Sequence, residues 1–224
     1  MYAEVADQPF TIVAVAMDAE IEAARPWVEA AAPDFVTLID TTHRLSSLYN
    51  MVNVPQAVWI DEQGRIVRPL ETGGSVDILR EFDFETGAFS AAAQARAAHA
   101  KATYVDAVAD WAVHGSASRF VMTPEQARAR VAMASAEVML AHAKFQLGQH
   151  LLQIDRVDEA QTLFAQCREL HPDSWNIYRQ TTEKNPLGLA AGEGFWHKVM
   201  NLGEKAYYDP IEMDGMPAAP PHTT

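Results

Sequence analysis

Residues 11–17 form an unbroken apolar run rich in β-branched side chains, ending at Asp18. Such a run predicts a strand buried on both faces, as in a parallel sheet. Residues 19–32 are helix-friendly, with Ile21, Ala24, Trp27 and Val28 on one face, and Pro26 predicts a break or a fresh first turn there. Residues 35–39 are a second short strand, closed by Asp40. Residues 43–51 predict a short helix with Leu45, Leu48, Tyr49 and Val52 inward. Residues 54–60 are a third strand, Asp61–Gly64 a turn, and Arg65–Arg68 an antiparallel return. The order β-α-β-α-β-β predicts an α/β fold with a mixed sheet.

The pattern changes after Gly73 and Gly74. Residues 88–114 are alanine-rich and predict a helix that packs through Ala92, Ala95, Ala98, Ala102, Val105 and Val108, broken by Gly115 and Ser116. Thr123-Pro124-Glu125-Gln126 has the form of a helix start: Thr caps, Pro occupies the first turn and Gln lies three after the cap. The helix that follows is expected to reach about Gln153. It has one apolar stripe through Val131, Ala134, Val138, Ala141, Phe145 and Leu152, and a second through Met133, Leu140, Leu147 and Leu151. A helix apolar on two sides is expected to pack between neighbours.

Residues 147–172 fit the tetratricopeptide pattern through Leu147, Gly148, Leu151, Ala160, Phe164 and Pro172, with Cys167 where a small residue is wanted. One such hairpin is expected, without a second repeat. The pairs Phe195-Trp196 and Tyr207-Tyr208 are expected to anchor the last helix in a core. These patterns divide the chain into an α/β domain over 1–82, an all-α domain over 83–213 and a disordered tail over 214–224.

Charge narrows the partners. The formal net charge is −13; residues 1–83 carry 14 acids and 5 bases. No Lys/Arg patch runs along any segment, so neither nucleic acid nor an anionic membrane surface is an expected partner. No apolar run approaches the ~18 residues that cross a bilayer. No basic and apolar leader precedes residue 11. A true start at Met1 implies a cytoplasmic chain, whereas an upstream segment would allow a periplasmic or membrane-anchored one. The sole cysteine, Cys167, lies in a helical pattern beside Leu163, Phe164 and Leu170 and is expected to be a buried core thiol.

The segment from Asn53 to Val67, Asn-Val-Pro-Gln-Ala-Val-Trp-Ile-Asp-Glu-Gln-Gly-Arg-Ile-Val, resembles the second half of the thioredoxin fold, most of all in redoxins of the TlpA/ResA type. Gln56 stands where that family usually has Thr. The strand at 11–17 and the Leu38-Ile39-Asp40 segment also sit where the family has them. The resemblance covers roughly residues 1–80. It implies an incomplete thioredoxin-like mixed sheet followed by the helical domain. It also implies a cis Pro55, and a loop of Val54, Pro55 and Gln56 whose exposed backbone pairs with an extended substrate.

The family's Cys-x-x-Cys, at the start of the first long helix, and the central strand before it would both precede Phe10. The strands at 11–17 and 54–60 would normally flank that missing strand. A truncated start accounts for this better than loss of redox chemistry, because losing a central strand leaves two rows of backbone groups unpaired. Residues 24–73, with Ser174-Trp175-Asn176 and Arg179-Gln180, also resemble a ResA-like family with selenocysteine at the active site.

Other chemistry is poorly supported. His142 and His150 are eight apart with no carboxylate or cysteine at ligand spacing, so no metal is expected. Gly192-Glu193-Gly194 does not follow a strand, so no dinucleotide site and no other cofactor is expected. Two functions remain. One is a thiol–disulfide (or selenol) oxidoreductase without its redox pair in this chain, and so inactive as it stands, with no catalytic residue. The other is a non-catalytic thioredoxin-fold and TPR-like module that binds proteins or peptides at the Pro55 loop or the helical domain.

Overall fold

The computed structural model describes residues 2–5, 7–131, 133–185 and 188–218. Among these the chain is mixed α/β, with three two-stranded sheets and eight α-helices. Val13–Ala16 (β1) and Val36–Ile39 (β2) pair in parallel, Val13 opposite Val36 and Ala16 opposite Ile39. Helix Ile21–Ala31 (α1) connects them. It runs straight through Pro26, so the expected break is absent. The carbonyl that Pro26 deprives of a donor is that of Glu22, in the exposed first turn, where water can replace the bond. Ala24 is buried on α1, but Trp27 and Ile21, expected on the same inward face, are 74% and 53% exposed.

Asp40 ends β2 and starts the next helix. Its N–H donates to the Ala16 carbonyl, and its carboxylate accepts the Leu45 N–H at 2.6 Å. Helix Arg44–Tyr49 (α2) follows, with Leu48 outward rather than inward.

Gln56–Ile60 (β3) and Ile66–Thr72 (β4) make an antiparallel hairpin with irregular register on either side of Trp59. Asp61 builds its turn by accepting the N–H groups of Gln63 and Arg65, and Gly64 supplies the positive φ of +75°. β4 continues four residues beyond the expected end at Arg68. The β1–β2 and β3–β4 pairs are separate sheets.

Phe82–Asp83 (β5) and Ala88–Phe89 (β6) form a small hairpin where the alanine-rich helix was expected to begin. That helix, Ala91–His114 (α3), starts at Ser90, whose Oγ accepts the Ala93 N–H at 3.1 Å. Its buried face is Ala93, Ala100, Tyr104 and Ala107, not the expected Ala92, Ala95, Ala98 and Ala102. Alanine on every side leaves little periodicity, and the large side chains Tyr104 and Trp111 set the inward direction instead.

The helix expected from Thr123 to Gln153 is two. Pro124–Arg130 (α4) begins with a full capping box between Thr123 and Gln126. The backbone is extended at Val131, and Ser135 caps Ala136–Gln153 (α5) by accepting the Val138 N–H. Ser135 offers the backbone an alternative to helix and so restarts it. The second apolar stripe does not pack: Met133, Leu140 and Leu147 are exposed, and only Leu151 is buried. Val157–Leu170 (α6), Trp175–Thr181 (α7) and Glu193–Met200 (α8) complete the helices.

Two compact units emerge, each built from discontinuous segments. The first takes the chain up to Phe10, Val54–Val131 and the chain from Glu193. Trp59, Tyr104, Ala107, Phe120 and Ile211 form its core, with Trp111, Met213 and Met216 against it. Met216 packs against this core and the Gly215 carbonyl accepts from Thr103; residues 219–224 of the tail expected from 214 lie outside the described residues. The second takes Thr11–Asn53 and Ala132–Gly192, with a core of Ala141, Phe145, Leu151, Ala160, Phe164, Cys167 and Ile177. Both units draw on residues from either side of 82.

Candidate functional site

The loop expected to carry function, Val54–Gln56, opens β3 in the first unit. The Val54–Pro55 peptide bond is cis. Pro55 is exposed, and its carbonyl accepts the Gly73 N–H at 3.0 Å. Gln56 pairs with Thr72 across the hairpin. Gly73 passes close to the loop: a Cβ there would meet the Pro55 and Ala57 Cβ atoms, each at 3.7 Å. The Tyr208 hydroxyl donates to the Val54 carbonyl at 3.0 Å. The backbone carbonyls of Val54 and Pro55 thus each hold one donor already.

Beneath the hairpin lies a polar network inside the core. Arg68 is 3% exposed and forms a two-pronged ion pair with Glu71, Nε to one carboxylate oxygen at 2.6 Å and Nη2 to the other at 2.8 Å. Nη1 also donates to the Phe120 carbonyl and Nη2 to the Glu212 carbonyl, both at 3.0 Å. The guanidinium lies 5.5 Å from the Trp59 ring, and Trp59 Nε1 donates to the Tyr104 hydroxyl at 2.9 Å. Burial and the Glu71 charge hold Tyr104 protonated well above the usual phenol range. Four of the five N–H donors of Arg68 thus have partners, and its charge is paired, as a buried guanidinium requires. This network fixes β3 and β4 beside α3, and nothing in it is a nucleophile.

In the second unit, helix α7 holds the stretch 51–53. The Asn176 backbone N–H donates to the Val52 carbonyl at 3.0 Å and its Nδ2 to the Met51 carbonyl at 2.8 Å. Arg179 donates to Asn53 Oδ1 at 3.1 Å, and Gln180 to the Met17 carbonyl at 3.2 Å. These are the residues singled out in the sequence only through the family resemblance. Tyr208, expected as a core anchor, reaches the loop through its hydroxyl, and no pattern in the sequence signals that.

Cys167 is fully buried, donates to the Ala141 carbonyl at 3.2 Å and has its pKa pushed up to about 11 by burial. It is a packed thiol with no thiolate to offer at neutral pH. His142 is buried beside His171, ring centroids 5.7 Å apart, whereas His150 is exposed. No group of three or more His, Cys, Asp or Glu side chains among the described residues is arranged to hold a metal ion. No helix among them is long and apolar enough to cross a membrane.

Comparison with protein-family models, with curated proteins and with solved structures finds no match for this chain.

Proposed function

We propose that the chain is part of a thioredoxin-like redoxin of the TlpA/ResA type, a thiol–disulfide (or selenol) oxidoreductase whose reactive pair lies in residues preceding this sequence. One observation carries the reading: a parallel pair, β1–β2, and an antiparallel hairpin that opens at Pro55, β3–β4, remain separate sheets. In the family that the sequence resembles, a further strand separates the parallel pair from the hairpin, and the redox turn follows it. The α5–α6 hairpin serves as a TPR-like unit.

In such an enzyme a thiolate attacks one sulfur of the substrate disulfide, the S–S bond breaks, and the other sulfur leaves as thiolate. The resolving thiol then attacks the mixed disulfide and releases the reduced substrate. The residues of this chain would bind and orient. The Val54–Gln56 backbone would pair with the substrate strand, as strand addition does elsewhere. The Tyr208 hydroxyl competes for the Val54 carbonyl and would have to yield or share it.

The test compares the 224-residue chain with a version extended upstream in its reading frame, in an insulin-reduction assay. The extended form should contain Cys-x-x-Cys, or a selenocysteine equivalent, after an apolar strand, and should turn over. The 224-residue chain should be inactive, with or without Cys167→Ala. An upstream frame without such a pair, or an inactive extended protein, overturns the redox assignment and leaves a non-catalytic protein-binding module.

A further inference from the structure

Helix α5 presents Gln146, Gln149, His150 and Gln153 at spacings of three, four and seven residues, which places all four on one helical face. That face and α2 bound a cleft of about 510 Å³, a size common among ligand sites. Arg44 and Ser47 line the α2 wall. Arg44 is exposed and has no carboxylate partner among the described residues. Asp40, the nearest acid in sequence, accepts instead from the Thr42 hydroxyl and the Leu45 N–H.

Gln149 is the informative residue. It is 7% exposed, lines the cleft and makes no side-chain hydrogen bond among the described residues. Its amide is not among the buried side-chain atoms that lack a partner, so it meets the water of the cleft, which a bound group would displace. Its neighbours Gln146 and Gln153 carry the same donor-plus-acceptor group at the same wall. In a chain of net charge −13, the only fixed charge lining this cleft is positive.

We propose that this cleft binds the carboxylate end of a short peptide, with Arg44 on the carboxylate and Gln146, Gln149 and Gln153 on the adjoining peptide groups. A guanidinium matches a carboxylate through two parallel N–H donors. The glutamine amides each donate and accept, as a peptide group does. A phosphate offers acceptors and would leave the glutamine carbonyls unmatched. The assignment is independent of the redox reading, because neither the Pro55 loop nor a reactive thiol enters it.

The probes are acetyl-trialanine with a free C-terminal carboxylate, the same peptide with a C-terminal amide, and inorganic phosphate. Each is titrated into the full-length 15N-labelled chain while the Arg44 Nε–H and glutamine side-chain signals are followed. The free peptide should shift these signals saturably and bind at least ten-fold tighter than its amide or phosphate. Arg44→Gln should weaken the free peptide ten-fold or more and leave the amide unchanged, and Gln149→Leu should weaken both peptides. Far-UV circular dichroism confirms that each variant is folded. No saturable shift with any probe, equal affinity for peptide and amide, tighter binding of phosphate, or indifference to Arg44→Gln overturns the proposal.

Discussion

His43, His142 and His171 are buried imidazoles of the second unit, and the Nε2 atom of each is buried without a hydrogen-bond partner in the structure. Burial lowers all three pKa values; His142 is brought down to about 4 by burial and by the charge His171 would carry, while Asp40 and Asp18 partly oppose the shift at His43 and Asp173 at His171. A depressed histidine pKa means that the unfolded chain binds protons before the folded one does. The stability these groups allow is therefore complete above the unfolded value of 6.5 and falls as pH drops towards about 4. Urea midpoints followed from pH 7.5 to pH 4.5 should decline with a break near 6.5. His142→Phe should flatten the decline even if it alters the midpoint at neutral pH, and an unchanged slope in that variant would refute the assignment. None of this was legible in the sequence, where the eight histidines look scattered. Cys167 was legible, because a small side chain inside a run of Leu and Phe has little alternative to the core.

At the scale of elements, the α5–α6 hairpin shows what the sequence could convey. Gly148 and Phe164 stood out in the repeat pattern, and the structure gives the physical reason: a Cβ on Gly148 would lie 2.5 Å from the Phe164 ring. Gly148→Ala should gain ~1 kcal/mol of helix propensity yet lose more, since overpacking costs ~1–3 kcal/mol. A lower urea midpoint is expected, and Phe164→Leu in the same chain should recover part of it; a more stable single variant would contradict the close approach. Strong local chemistry was readable throughout, as in the Thr123 capping box and the Asp61–Gly64 turn. What was not readable is which face a helix buries when many faces are apolar, as on α3, or where Ser135 interrupts a periodic run. The Pro55 loop was legible as a motif, whereas its contact with Tyr208, 154 residues away in sequence, depends on the folded chain alone.

For the molecule as a whole, the β1–β2 and β3–β4 pairs differ in how they are covered. Trp59 of β3 is buried against Tyr104 and stacks on Trp111 at 4.9 Å, whereas no residue of β1 is buried and Val13, Val36 and Leu38 are each about half exposed. Hydrogen exchange should therefore be fast at Val13–Ala16 and slow along α6, with β3 between them. Equal protection of β1 and α6 would show that the first strand pair is covered in solution.

The interleaving of the two units has a consequence for the order of synthesis. The chain passes from one unit to the other after Phe10, Asn53, Val131 and Gly192, so neither core can close on a growing N-terminal fragment. The second unit is complete only once residues up to Gly192 have emerged. The first waits for Ile211, Met213 and Met216, near the far end of the chain. During translation the apolar strand at 13–16 thus leads helices α5–α7 of the same unit by more than a hundred residues, and such delayed, non-local closure is slow and exposes strand edges to association.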